Sequence, residues 1–347
     1  MDRAVYTDAL TGSAIALDGH AYALLDTADQ THGHTPVRSL FFPGCSIVNF
    51  AQPLMDKAYK TLLDAGIVEG ISLLCCGKLL AFEPDADTVC PAFEADLRSS
   101  VIDNGIGRIV TACPNCTAEL RRVLARDEKT VGVDVVVLPE ALASCGVSLS
   151  VAEVGVFFEE NGIPFAGDAP KLAVHDSCPD RKTGEFARGT RSLLPSELLV
   201  EMEHNRTRSI CCGSLAKAAG KSDAATRQSQ MRGEEGLAAG ADAIVTACMS
   251  CASQLSSFQD SLPVIHYLEL LYGERIDWAN LPPYLQMRFL FEAKSGKRDY
   301  CGLTDGCSNF NGCCAAGAGA AANADGTSDA ADGNASGIAT ASDGNGR

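Results

Sequence analysis

The chain has 347 residues, 46% of them hydrophobic, enough for about two domains with real cores, so a peptide, a fibre and a wholly disordered protein are excluded. Lys and Arg total 28 against 44 Asp and Glu, and the resulting net charge of −16 repels phosphate backbones and anionic lipid surfaces, so nucleic-acid binding is not expected. Sixteen cysteines are the outlying number, because a chain of this size with an ordinary core does not need disulfides to fold.

In chain order, residues 1–36 show no strong periodicity and no basic stretch followed by an apolar core, and read as an N-terminal arm. Nothing reaches 18 consecutive apolar residues, so no transmembrane segment is expected. The expectation is a soluble, cytoplasmic protein, associated with a membrane only through partner subunits. In a reducing cytosol, clustered thiols point to metal ligation or catalysis before structural bridging.

Residues 37–150 then alternate predicted strands at 38–42, 70–74, 108–111 and 134–138 with helices at 52–65, 92–103 and 114–125. Residues 151–275 repeat the order, with strands at 171–175, 207–210, 243–246 and 264–265 and helical stretches at 179–194 and 221–239. This alternation predicts an α/β fold of two tandem, pseudo-symmetric, Rossmann-like cysteine-rich domains with largely parallel sheets. An extension at 276–314 holds the only tryptophan, Trp278, an apolar run at 281–291 read as core packing, and further cysteines. The tail 315–347 is Ala, Gly, Asp and Asn with one large aliphatic, Ile338, and is expected to be disordered.

Two cysteine sets recur about 135 residues apart in the same internal order, a domain-sized period. The first is Cys45, 29 intervening residues, Cys75-Cys76-Gly77, 35 residues, then Cys113-Pro-Asn-Cys116. The second is Cys178, 32 residues, Cys211-Cys212-Gly213, 34 residues, then Cys248-Met-Ser-Cys251. The context Ile-Val-Thr-Ala precedes both Cys113 and Cys248, so the domain is duplicated. Each motif is expected just after a strand, at the sheet edge where open α/β folds place ligands.

Adjacent cysteines make only a strained bridge with each other, which argues against a disulfide framework. A four-thiolate zinc site leaves one cysteine over in each copy, and a thioredoxin-like dithiol at Cys113-Pro-Asn-Cys116 leaves three. An iron–sulfur centre suits five soft thiolates best, with the backbone turned at Gly77 and Gly213. Helices opening after Cys113 and Cys248 would direct positive N-termini at such a centre. Zinc and dithiol chemistry remain alternatives on spacing alone.

The spaced motif, present twice from Cys45 to Cys251 with the lead-ins Pro43-Gly-Cys45 and His175-Asp-Ser-Cys178, resembles the cysteine-rich CCG-domain proteins. The cysteine-rich subunit of heterodisulfide reductase is the nearest type, with relatives in the iron–sulfur subunits of glycolate oxidase and anaerobic glycerol-3-phosphate dehydrogenase and a lactate-utilisation protein. The resemblance implies two noncubane [4Fe-4S] clusters. One would be held by Cys45, Cys75, Cys76, Cys113 and Cys116, the other by Cys178, Cys211, Cys212, Cys248 and Cys251. It further implies that a disulfide lies between the clusters and is reduced by two electrons, one from each, inside a multi-subunit oxidoreductase complex. Electron transfer from a hydroxy-acid or succinate-type dehydrogenase toward quinone is the alternative, and a zinc-stabilised structural module the alternative of another class.

No Cys-x2-Cys-x2-Cys-x3-Cys-Pro run is present, so electrons are expected from a ferredoxin-like or flavoprotein partner subunit, with a small-molecule disulfide or quinone as acceptor. No Gly-x-Gly-x-x-Gly follows a predicted strand, so neither flavin nor nicotinamide is expected on this chain. His175, Lys78, Lys217 and Arg181 lie near the ligand cysteines and are candidate proton donors or anion contacts, the first three being the catalytic candidates. The neighbouring Glu159-Glu160 and Glu234-Glu235 read as solvated helix faces. Cys90 and Cys145 read as buried hydrophobes, and Cys301, Cys307, Cys313 and Cys314 fit no assignable metal spacing.

Overall fold

Apolar runs bounded by polar turns pair as they must if each repeat builds its own sheet. The computed structural model describes residues 4–18, 22–25 and 36–281. In the first repeat β4 (Ser39–Phe42), β5 (Gly70–Ile71), β6 (Arg108–Thr111) and β7 (Asp134–Val137) form a parallel sheet in the order β5-β4-β6-β7. In the second, β8 (Leu172–His175), β9 (Leu199–Val200), β10 (Ala243–Thr246) and β11 (Val264–His266) form another, in the order β11-β10-β8-β9. Both follow one rule: the first strand of the repeat is flanked by the second and the third, and the fourth lies outside the third. The strand interiors are wholly apolar (Ile109, Val110, Ile244 and Val245 have no exposed surface), as helices on both faces of a parallel sheet demand.

The last paired rows correspond as well. Phe42 pairs Thr111, which pairs Val137 in the first sheet; His175 pairs Thr246, which pairs His266 in the second. This register fixes which residues of the two repeats are equivalent.

Helices cross between the strands. In the first repeat they are α1 (Cys45–Phe50), α2 (Gln52–Asp64), α3 (Ala86–Asp103), α4 (Pro114–Leu124) and α5 (Leu138–Ser144). In the second they are α6 (Val151–Glu160), α7 (Glu185–Leu193), α8 (Ser214–Ala218), α9 (Ser222–Ala238), α10 (Met249–Phe258) and α11 (Tyr267–Tyr272). The repeats join by exchanging equivalent contacts: α7 packs on α5, and α2 packs on α11. At the first crossing a Cβ on Gly189 would stand 2.9 Å from the Glu140 nitrogen, so only glycine lets the helices approach this far. Arg121 reaches Glu185 there at 2.5 Å. At the second crossing Lys57 reaches Glu274 at 2.6 Å and Thr61 bonds the Tyr272 hydroxyl at 3.0 Å. One apolar cluster runs through both sheets, from Leu40 and Val110 to Val174 and Ile265, so the joint is as hydrophobic as the cores it connects.

Several boundaries differ from the sequence expectation. The N-terminal segment is no plain arm: β1 (Ala4–Thr7), β2 (Ala14–Leu17) and β3 (Tyr22–Leu25) make an antiparallel meander whose middle strand is entirely buried. Its short strands hid it. Buried Asp8 binds it to the first repeat, accepting from the Leu10 and Thr11 nitrogens at 3.0 Å, from the Ser72 hydroxyl at 3.0 Å and from the Leu73 nitrogen at 2.7 Å. The stretch 207–210 is no strand. Arg206 and Arg208 hold a 3-10 turn at the surface, and Leu199–Val200, following fully covered Leu198, takes the sheet edge instead. β-Branched propensity yielded to burial. The long helix expected at 179–194 breaks at Gly184 (φ 65°), because buried Asp180 accepts from the Thr183 hydroxyl and the Ala187 nitrogen at 2.9 Å. Helix α3 starts earlier than expected, at Ala86, Pro91 within it having masked the first turns. Trp278 packs on both apolar clusters, as expected, and stacks edge-on against Phe50. The run 281–291 beyond Leu281, the four C-terminal cysteines and the tail lie outside the described residues.

Candidate functional site

The strand ends deliver the cysteines. Cys45 and Cys178 each follow the first strand of their repeat by three residues, and Cys113 and Cys248 follow the third by two. Cys113 and Cys248 adopt nearly the same extended conformation at the head of a helix (φ −124°, ψ 125° and φ −127°, ψ 118°), with Pro114 in the first turn of α4. The Cys-Cys-Gly turns need glycine in the left-handed region, at φ 78° for Gly77 and 102° for Gly213. A Cβ there would lie 2.5 Å from the Phe93 ring or 2.4 Å from the Ala225 carbonyl. The expectation that every motif follows a strand directly fails once: Cys211 follows the 3-10 turn, ten residues beyond β9.

The ten cysteines gather as the repeat predicts. In the first set Cys45 and Cys75 sulfurs are 3.7 Å apart, and Cys76 and Cys113 each exchange a hydrogen bond with Cys116. In the second, Cys178 and Cys211 are 3.7 Å apart and Cys212 and Cys251 3.2 Å. All are free thiols, since a disulfide needs about 2.05 Å. The sets also meet each other: Cys113 packs against the cluster that holds its equivalent, Cys248, together with Cys212 and Cys251. Beside them the Ser46 and Ser250 hydroxyls bond at 2.7 Å.

Electrostatics says what such a gathering needs. Cys76 is pulled down to about 6 because Cys116 and then Cys75 donate to it, and Cys211 and Cys248 are lowered likewise, by Cys178 and Cys212 and by Cys113 and Cys251. Their donors are held up in exchange: Cys116 and Cys251 stay protonated through their own donation and through burial. Five thiolates in one buried nest would repel strongly at low dielectric, so full ionisation requires a polyvalent cation among them. The donor set is soft, and a Cβ on Gly44 would touch the Cys116 sulfur at 2.8 Å, so the lead-in glycine keeps the first nest open.

The surroundings of the two sets differ. Beside the second, a ring nitrogen of buried His175 lies within 4.8 Å of the Cys212 and Cys251 sulfurs. Fully buried Arg232 donates from Nε to His175 Nδ1 at 3.1 Å, and spends its other nitrogens on the His204 carbonyl, the Met202 sulfur at 2.7 Å and the Glu235 carboxylate. Because Nδ1 accepts, the neutral ring carries its proton on Nε2, which has no partner. Burial, then the Arg232 charge, pushes His175 down to about 3, so the ring stays neutral. His266 repeats the arrangement near Cys248: its Nδ1 accepts from the Leu268 nitrogen at 3.4 Å, Nε2 has no partner of good geometry among the described residues although the Ala247 carbonyl lies by the ring, and burial lowers it to about 4. The Ser177 hydroxyl stands 3.8 Å from the Cys251 sulfur. In the first repeat these positions are Phe42, Val137 and Gly44, and Leu97 stands as far before β6 as Arg232 stands before β10.

Of the other candidates, Lys78 pairs with Glu119 at 3.3 Å and Lys217 lies over the Phe258 ring at 4.4 Å. Arg181 belongs to the turn Cys178–Arg181, and its buried Nε has no partner. A cleft of about 230 Å³ lined by Cys76, Lys78, Cys90, Glu94, Glu119 and Arg122 opens onto the first set. Cys90 and Cys145 are half-buried rather than buried. Glu235 is not a solvated residue but the partner of Arg232 and, at 2.5 Å, of His204. His266, Arg232, Ser177 and Gly44 were missed as site residues; aligning the two repeats position by position would have shown polar side chains replacing apolar ones beside the second set.

No curated protein matches the chain. Among solved structures it is distantly similar to a glutamate racemase of Bacillus anthracis (13% identity, TM-score 0.34, covering 67% of this chain and 77% of that one). It is similar also to a hypothetical protein of Helicobacter pylori (11%, TM-score 0.42, 70% of this chain and 50% of that one) and to an aspartate racemase of Picrophilus torridus (12%, TM-score 0.31, 67% and 90%). The model of the cysteine-rich CCG domain matches twice, at residues 39–121 and 172–256. Each match contains one complete set of five cysteines and the three strands that deliver them. With the thiols clustered as they are, this supports an iron–sulfur or metal-binding role. The chain carries two tandem copies of the cysteine-rich CCG domain.

Proposed function

We propose that the chain is an iron–sulfur oxidoreductase subunit holding two noncubane [4Fe-4S] clusters, of the kind found in the cysteine-rich subunit of heterodisulfide reductase, and that it reduces a disulfide within a multi-subunit complex. The domains are 37–150 and 151–275, and the ligands are the two sets of five cysteines. The observation that carries the reading is the packing of two equivalent five-thiol nests side by side: Cys113 lies against the cluster that holds Cys248, and the repeats exchange equivalent helix contacts, α7 on α5 and α2 on α11. A disulfide bond is itself close to two-fold symmetric, and its reduction takes two electrons and two protons to give two thiols. When bound, each cluster would supply one of those electrons.

The residues of this chain do the remainder. Burial of Cys76, Cys116, Cys212, Cys248 and Cys251 excludes water, and the Ser46–Ser250 hydrogen bond fastens the repeats beside the two nests. The cleft over Cys76 is the approach to the first nest, with Lys78 and Arg122 on its wall for an anionic group of the substrate. Protons come from Lys78 and Lys217 or from solvent, because neutral His175 gives a hydrogen bond and not a proton. Electrons enter from a ferredoxin-like or flavoprotein partner.

Iron and acid-labile sulfide on anaerobically purified protein test the reading, with Cys76→Ser and Cys212→Ser compared. About eight of each per chain, falling by half with either change, is expected for two independent clusters. Zinc without sulfide would end it. Turnover of a disulfide by the reduced protein separates this reading from electron transfer to quinone: intact clusters without disulfide turnover would leave only the latter.

A further inference from the structure

The nests are equivalent in ligands and unequal in what surrounds them. Around the second stand two buried imidazoles, each with Nδ1 occupied by a donor; Nε2 of His175 meets no acceptor among the described residues, and Nε2 of His266 meets none of good geometry, its ring lying by the Ala247 carbonyl. A buried N–H without an acceptor is destabilising, and such groups beside one nest indicate an acceptor that arrives with the bound group. The ring cannot serve as a ligand through Nε2 while Arg232 donates to Nδ1, since a neutral imidazole has one lone pair and Arg232 uses it. It can only donate.

We infer that His175, oriented by Arg232, and His266 donate Nε2–H hydrogen bonds to sulfurs of the group held by Cys178, Cys211, Cys212, Cys248 and Cys251, so that the second site accepts an electron before the first. The inference rests on the two-cluster reading above. Hydrogen bonds to the sulfurs favour the more negative, reduced state and raise its potential. Arg232 donates from Nε to His175 and is paired with Glu235 at its far end, as Asp176, next in the chain to His175, is paired with Arg191 at 2.6 Å, so Arg232 acts by orienting the ring. The Cys-Cys-Gly turn contributes equally to both sites, since the nitrogens of Gly77 and Gly213 bond Cys75 and Cys211. The difference therefore comes from equivalent positions, where Phe42, Val137 and Leu97 of the first repeat can donate nothing and the second has His175, His266 and Arg232; Lys78 and Arg122 near Cys76 are paired with Glu119 and Glu94. His175, His266 and Arg232 are positioning residues, acting on the electron and not on the substrate.

The full-length chain, purified anaerobically, is titrated stepwise with dithionite and followed by electron paramagnetic resonance. Cys212→Ser and Cys76→Ser proteins, each keeping one site, identify the steps. The step at higher potential should be absent from Cys212→Ser and present in Cys76→Ser; the reverse assignment, or two coincident steps, overturns the inference. The second readout copies the first site into the second with His175→Phe, Arg232→Leu and His266→Val together, keeping the positions apolar and filled. At full iron and sulfide, the ratio of reduced second site to reduced first site at a fixed potential should fall by about tenfold or more, the size of a hydrogen bond to a charged group. An unmoved step in a fully loaded protein overturns the proposal. Wild-type protein without iron and sulfide overturns the cluster reading and this inference with it, whereas loaded protein with the steps in the wrong order defeats this inference alone.

Discussion

The first and second nests hold equivalent sets of five cysteines, yet the strand ends beside them differ, hydrocarbon at Phe42 and Val137 of the first repeat and buried imidazoles at His175 and His266 of the second. Phe42-Pro43-Gly44 leads into Cys45, and His175-Asp176-Ser177 leads into Cys178. Even the thiols share burial differently, Cys75 and Cys248 being covered where their counterparts Cys211 and Cys113 are partly open. Duplication therefore preserved the thiols and released their environment. On the proposed two-cluster reading that division has a use, since ligands decide whether a group binds and their neighbours decide when it is reduced.

The comparison breaks most sharply at the lead-in. Gly44 sits at φ 81° with room for no Cβ, 2.8 Å from the Cys116 sulfur, while Ser177 carries a side chain at φ −71°. Gly44→Ala is expected to empty the first nest and halve the bound iron, and Ser177→Ala to leave the iron count unchanged. Equal iron in both variants would show that the nests tolerate their lead-ins alike. The Cys-Cys-Gly turns come next. A Cβ on Gly213 meets the Ala225 backbone at 2.4 Å, which cannot give way, whereas one on Gly77 meets the Phe93 ring, which borders a cleft and can swing. Gly213→Ala should cost about 4 kcal/mol and Gly77→Ala about 2, from overpacking and left-handed strain together. Chemical denaturation checks this, and similar costs would mean that the two turns are equally confined.

Much of this was legible beforehand. The cysteine spacing disclosed the duplication and the two sets of five cysteines, and periodicity located β6, β10 and α4 almost to the residue, because buried parallel strands and an amphipathic helix leave strong patterns. What failed depended on distant partners. The meander of residues 4–25 is held by Asp8 reaching Ser72 and Leu73, a contact that no local pattern encodes. Arg232 lies in a helix of weak amphipathicity, where a charged residue reads as surface until its partners His175 and Glu235 are known. The meeting of Cys113 and Cys248 needed the crossed packing of α2 on α11 and α7 on α5, which only the folded chain shows.

A pH-dependent difference lies one turn beyond the fourth strands, where Glu140 and Glu269 occupy the same register position. Glu140 is partly exposed beside Arg188 at 3.3 Å; Glu269 is fully buried, accepts from the His266 and Ile276 nitrogens at 2.6 and 2.8 Å, and meets Arg275 at 3.2 Å. Burial outweighs those partners and lifts Glu269 from 4.5 to about 7. The folded state then holds this proton more tightly than the unfolded one between those values. Its contribution is therefore greatest below pH 4.5 and declines as pH rises to about 7, by roughly 3 kcal/mol at most. Glu269→Gln should remove that slope from denaturation midpoints measured between pH 5 and 7.5, and leave the variant relatively more stable at the upper end. Glu140→Gln, losing one exposed ion pair, should cost about 1 kcal/mol or less. A parent protein whose stability rose through this interval, with Glu269→Gln following it in parallel, would show that Arg275 and the two amides hold the buried carboxylate ionised after all.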